Sequence, residues 1–138
     1  MIMGRNATNP QWMADMNIVT AEQKNEIAEV CQKSMRLEQL TFSRWAQVMY
    51  RFEKAMYADP DQDLNALWWQ LVEQYQLLKK PEGRNEPDWA SKIHVALYPC
   101  YYHNYLMGEL LASQLFYYIS DNVLNNKDYN NVSFVNHP

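Results

Sequence analysis

Apolar residues recur at helical spacing along most of this chain. Thr20 followed by Gln23 has capping-box spacing and opens a stripe made of Ile27, Val30, Cys31, Ser34, Met35 and Leu37. A second stripe follows at i, i+3, i+4 and i+7: Phe42, Trp45, Ala46, Met49, Phe52, Ala55 and Met56. No proline or glycine interrupts the chain from Thr20 to Tyr57. One helix over that span would be about 57 Å long at about 1.5 Å per residue, so a bend or break is expected near Leu40 and Thr41. Earlier, Asn9 and Pro10 are placed to cap and start a single turn reaching Met16.

The Asp59 to Asp63 group reads as a turn whose last aspartate caps a third helix, Leu64 to Leu78, with Leu67, Trp68, Leu71, Val72, Tyr75 and Leu78 on its apolar face. A hydrophilic loop, Lys79 to Pro87, comes next. A short helical turn from Asp88 to His94 then leads through Tyr98 into a last long helix, with Pro99 in its first turn and its end near Ser120. The Asn-rich tail from Asp121 carries no helix signal, and no stretch shows strict strand alternation. The pattern predicts an all-α fold of four to five helices in one region, residues 1–138.

Composition narrows the function classes. The chain has 138 residues, 48% of them hydrophobic, and a net charge of only −4, which suits one folded domain rather than a disordered tail. Lys and Arg are scattered, so there is no basic face for nucleic acid. The apolar run from Tyr98 to Ile119 is long enough for a membrane span, but His103, Asn104, Glu109, Ser113 and Gln114 make it costly in lipid. No apolar stretch of signal-peptide length follows Met1, so no leader is expected. Cys31 and Cys100 are too few for a disulfide framework or a cysteine zinc site.

Candidate chemistry concentrates in Asp88 to Gln114, where Lys92, His94, His103, Tyr98, Tyr101, Tyr102 and Tyr105 fall together. Tyr102 and Tyr105 are spaced to share a helix face, and Gly108 leaves room beside them. A phenol stays protonated at neutral pH and suits donation to a developing oxyanion, not general-base work. Lys92 adds a positive charge, and the His94 imidazole can donate or accept a proton. Such a set suits an anionic or carbonyl-bearing ligand such as a peptide end. Tyrosines at helical spacing equally suit a core with hydroxyls at its surface, and spacing leaves the two readings open. His103 and His137 are taken as structural or exposed. The chain's three histidines include no pair with metal-ligand spacing.

Several anchors occur in order: Trp68-Trp69, Tyr75-Gln76, a proline before Arg84-Asn85-Glu86, the K-x-H of Lys92 and His94, the Y-x-x-Y of Tyr102 and Tyr105, and then Gln114. In this wording the chain resembles the C-terminal part of the angiotensin-converting-enzyme family, the peptidyl-dipeptidase A group of zinc metallopeptidases. The likeness is densest over Thr41 to Gln114. Thimet-type oligopeptidases and oligoendopeptidases share a similar pattern more distantly.

The resemblance implies roles residue by residue. Tyr105 would donate to the tetrahedral oxyanion, His94 would bind the peptide carbonyl beside the scissile bond, and Lys92 and Tyr102 would hold the substrate's C-terminal carboxylate. The spacing from His94 to the tyrosine pair is one residue longer than in the animal enzymes. The arginines that coordinate chloride in those enzymes fall at Val72 and Asn104 here, so the resemblance does not carry chloride dependence over to this chain.

The H-E-x-x-H helix and downstream glutamate that hold zinc in that family are absent from this sequence. The resemblance therefore implies a piece of a larger helical metallopeptidase, with zinc and the N-terminal half of the catalytic domain supplied by the intact parent, peptide as substrate, and no activity for this piece alone. A large exposed apolar surface, with self-association through it, is expected. The alternative is a free-standing helical interaction module without catalysis.

Overall fold

The computed structural model describes residues 2–135, and among these it contains helices and turns without strand. Five α-helices follow in order: α1 Pro10–Asp15, α2 Ala21–Ala58, α3 Leu64–Gln76, α4 Ile93–Ala96 and α5 His103–Tyr118. Single 3-10 segments occur at Ile2–Thr8 and Asp88–Ser91, and a π turn spans Ile119–Val123. The all-α expectation of four to five helices holds. Among the described residues no helix is long and apolar enough to cross a membrane. His137 lies outside the described residues.

Local chemistry explains where most helices start and stop. Asn9 Oδ1 accepts from the backbone N–H of Gln11 and Trp12, and Pro10 fills the first helical position of α1. Thr20 and Gln23 close the expected capping box on α2: Gln23 N donates to Thr20 Oγ1 at 3.2 Å and Thr20 N donates to Gln23 Oε1 at 2.9 Å. Gln62 covers the C-terminal end of α2: its Nε2 donates to Ala55 O in the last turn at 2.8 Å and to Asp59 O just beyond the helix at 2.7 Å. Asp63 Oδ1 then accepts from Ala66 N and starts α3.

Three boundaries differ from the sequence reading. α2 is one uninterrupted helix of 38 residues, with no break at Leu40 and Thr41. Sharp kinks need proline, glycine or a group inserted into the backbone ladder, and this stretch has none. α3 stops at Gln76, short of Leu78, because Leu77 turns left-handed at φ 61° while its N–H still reaches Glu73 O.

The last long helix begins at His103 rather than at Pro99. Cys100 is left-handed at φ 56° and gives its N–H to the Glu53 carboxylate, so the first carbonyls in helical register are those of Tyr101 and Tyr102. That helix ends at Tyr118, and the π turn carries the chain on through Ser120 to Val123.

The chain divides into two compact units, Leu40–Met107 and the flanking segments together. In Leu40–Met107 the core is formed by Ala46, Val48, Met49 and Phe52 of α2, Trp68, Leu71 and Val72 of α3, Val95 of α4, and Tyr102. Phe52 meets Trp68 edge-on with centroids 5.2 Å apart and lies 5.5 Å from Trp89. Arg44 and Gln76 tie α2 to α3 through the Gln74 and Thr41 carbonyls. Asn65 and Asp88 accept the indole N–H groups of Trp89 and Trp69, which fastens the Asp88–Ser91 turn onto α3.

The flanking unit is smaller in its core: Pro10 and Ser120 are buried, Val132 is 1% exposed, and Phe116 packs on Phe134 and under Arg5. Asn9, besides capping α1, donates to the Val132 carbonyl. The first half of α2 buries none of its expected stripe; Val30 and Leu37 are each 65% exposed.

Two substitutions test these forces, both read from urea unfolding midpoints. Phe52→Ala removes the ring shared by Trp68 and Trp89 and should cost about 3–5 kcal/mol. Leu77→Gly relieves a left-handed side chain that packs on little, and should stabilise by about 1 kcal/mol.

Candidate functional site

Asp88 organises the entrance to the candidate segment. Its carboxylate accepts Trp69 Nε1 at 3.1 Å and Arg84 Nε at 2.8 and 3.0 Å, and it also takes a contact from the second guanidinium nitrogen. The Arg84 hydrogen bonds hold Asp88 below the ordinary aspartate value of 3.8 and raise the guanidinium in turn. With Asp88 fixed, the 3-10 turn delivers Lys92 in an extended conformation, φ −84° and ψ 109°, just before α4. That single extended residue sends Lys92 and His94 to different neighbours.

His94 faces the tyrosines. Its Nε2 lies 3.0 Å from the Tyr105 hydroxyl. Its ring meets Tyr102 and Tyr105 edge-on, with centroids at 4.9 and 5.4 Å, and Tyr98 at 6.3 Å. Tyr102 and Tyr105 are 5.1 Å apart, and Tyr101 closes against Tyr105 at 5.6 Å. Tyr102 is 8% exposed and precedes the first turn of α5 rather than lying within it. Burial raises its pKa, partly offset by the hydrogen-bonding indole of Trp45, so this phenol stays neutral further into alkali than an ordinary tyrosine.

Lys92 goes elsewhere. Its Nζ stands 5.0 Å from the Trp45 ring centroid and borders an open cleft whose walls include Trp45, Trp68 and Trp69. Tyr102 does not line that cleft. The structure thus brings His94, Tyr102 and Tyr105 together, and sets Lys92 against Trp45, the residue through which it neighbours Tyr102. His103 is exposed, with its ring 6.3 Å from Tyr50.

Two contributors were not singled out by the sequence reading. Trp45 belongs to the apolar stripe of α2, yet it connects Lys92 to Tyr102. Glu53, 7% exposed, holds the Cys100 N–H and with it the loop that presents the tyrosines. A signal existed for Glu53: it follows Met49 by four positions, so a carboxylate stands inside the apolar stripe.

The arrangement suits hydrogen-bond donation. With the Nε2 proton directed at the Tyr105 oxygen, the phenol's own proton is free for an acceptor in front of it, and the imidazole polarises the donor. Among the described residues no three His, Cys, Asp or Glu side chains are grouped to hold a metal ion, so these residues do not fit a zinc site. No family model, curated protein or solved structure matches the chain.

The Asp88 clasp predicts acid sensitivity of defined sign. A depressed carboxylate contributes stability that is complete above the ordinary value of 3.8 and is lost as pH falls through the lower folded value. Trp69 fluorescence should change in that acid range, and Asp88→Asn should abolish the change.

Proposed function

We propose that this chain is the C-terminal, substrate-binding portion of a zinc-dependent peptidase resembling the peptidyl-dipeptidase A family, acting on peptide bonds near C-terminal ends in the intact parent. The observation that carries the reading is the 3.0 Å contact between His94 Nε2 and the Tyr105 hydroxyl, which joins two polar groups from different helices inside a ring of tyrosines. The zinc of such an enzyme belongs to residues outside this sequence, and this chain alone is inactive as a hydrolase.

The roles assigned to this chain's own residues are binding and donation. Tyr105 donates its phenol proton to the oxyanion that develops at the attacked carbonyl. His94 binds the neighbouring peptide carbonyl with the Nε2 proton that, without substrate, is directed at Tyr105. Lys92 supplies the positive charge for the substrate carboxylate, and Tyr102, which shares Trp45 with Lys92, is the second donor.

One observation favours a second reading, a helical interaction module without catalysis. α5 is apolar on most of its circumference, yet Met107, Leu110, Leu111, Leu115 and Tyr118 are exposed. An all-round apolar helix is ordinarily covered. The peptidase reading covers such a surface with the remainder of the catalytic domain or with a second copy; the module reading covers it with another protein.

The coding sequence upstream separates the two, because the peptidase reading requires an H-E-x-x-H motif and a downstream glutamate there. In a chain that includes them, Tyr105→Phe should lower kcat by roughly 10²–10³ with little change in KM. Lys92→Ala should abolish the preference for a free C-terminal carboxylate over its amide. Unchanged kinetics in both variants would sink the assignment.

A further inference from the structure

Among the described residues Glu53 is the only charged side chain that is buried. No lysine, arginine or histidine nitrogen among them lies within salt-bridge distance of it, and its hydrogen-bond partner is the backbone N–H of Cys100. A carboxylate taken out of water without a cation is costly, and replacing a buried charge with an apolar side chain of similar volume often leaves a core as stable or more so. Met49, one turn earlier on the same stripe, shows what the position would hold if packing alone chose it. Core stability therefore does not account for Glu53.

Its effect falls on a choice between two helix starts. Pro99 has the fixed φ that suits a first helical turn, and the pattern of the sequence starts the last helix there. In the structure Cys100 is left-handed at φ 56°, a conformation that crowds the side chain of any residue but glycine, and α5 begins only at His103. Cys100 is exposed, so burial of its own side chain does not hold this turn; the Glu53 bond does. A helix begun at Pro99 would take in about one more turn, Tyr102 included. Tyr102 would then leave the place it holds just ahead of α5, buried and 4.9 Å from the His94 ring, and Tyr105, whose N–H bonds the Tyr102 carbonyl at 3.2 Å, would turn with it. His94 would not follow, because α4 is fixed in the core through Val95.

We infer that Glu53 is a positioning residue for the oxyanion donor: by accepting the Cys100 N–H it keeps residues 99–102 out of α5 and so sets the Tyr105 hydroxyl against His94. The inference rests on the donor role proposed for Tyr105 above and adds the residue that fixes its register. What the turn needs is an acceptor oxygen, which glutamine supplies as well as glutamate. Lys92, which follows the Asp88 clasp and stands on Trp45, does not depend on it.

The test compares the 138-residue chain with its Glu53→Met and Glu53→Gln variants by nuclear magnetic resonance. It reads the Cα shifts of Cys100, Tyr101 and Tyr102 and the exchange of the His94 Nε2 proton with water. Glu53→Met should move the three Cα shifts to helical values and speed that exchange by roughly tenfold or more, with the urea midpoint unchanged or higher. Glu53→Gln should keep the parent values. Adding Cys100→Gly to Glu53→Met should slow the exchange again, since glycine takes positive φ freely and favours a helix poorly. In a longer chain that carries the zinc-binding half, Glu53→Met should lower kcat by roughly tenfold or more and leave the preference for acid over amide unchanged. Once Tyr105→Phe is present it should cost nothing further.

Unmoved Cα shifts, or a His94 proton as protected in Glu53→Met as in the parent, overturn the inference and leave the peptidase reading standing. A lower urea midpoint in Glu53→Met does the same, because the carboxylate is then part of the core's stability. So does a Glu53→Gln chain that behaves like Glu53→Met, or an equal loss of kcat with and without the Tyr105 hydroxyl. Unchanged kcat in Tyr105→Phe instead removes the peptidase role, and the hold of Glu53 on the helix start is then judged by the resonances alone.

Discussion

Phe52 is the contact on which the Leu40–Met107 unit depends. Its ring is fully buried at the middle of the α2 segment of that unit and is shared by Trp68 from α3 and Trp89 from the 3-10 turn. Three segments far apart in sequence therefore meet on one side chain, and each contact constrains the others. Close-packed aromatic rings tolerate little displacement, since small gaps forfeit much of the dispersion attraction. Because the 3-10 turn is pinned by Trp89, the residues immediately after it, Lys92 and His94, leave the core at set positions.

Polar groups complete what this packing begins. Burying loops is costly unless their backbone and carboxylate groups are paired. Asp88 collects Arg84 and Trp69, which closes the Lys79 to Pro87 connection against α3. Glu53 stands one residue from Phe52 and captures the Cys100 N–H, which stabilises the left-handed turn ahead of α5. One carboxylate acts just ahead of Lys92 and His94, the other just ahead of Tyr102 and Tyr105. On the proposed reading their task is preorganisation: donors held in place by packing need little rearrangement when charge develops.

The arrangement divides the chemistry into a hydrogen-bonded His–Tyr group and a lysine set apart from it. His94 and Tyr105 share a hydrogen bond among tyrosine rings, whereas Lys92 stands over indole. Trp45 lies between these roles because it touches both Lys92 and Tyr102. A peptide end has the same division, a carbonyl to be polarised and a carboxylate to be neutralised, and this correspondence is what ties the proposed activity to the geometry.

The amino-acid sequence by itself determined the helical class, the caps of α1, α2 and α3, and the apolar stripe from Ala46 to Phe52, because all of these depend on interactions within four residues along the chain. It also marked out Lys92, His94, Tyr102 and Tyr105 as a group worth attention. Only the tertiary structure decided that α5 starts at His103 instead of Pro99 and that Lys92 parts company with His94. Both follow from contacts between segments that no local pattern encodes: Glu53 reaching Cys100 across 47 positions, and Lys92 packing on Trp45. Helical periodicity reports which side chains share a face; which partner that face meets is settled by the packing of distant segments against one another.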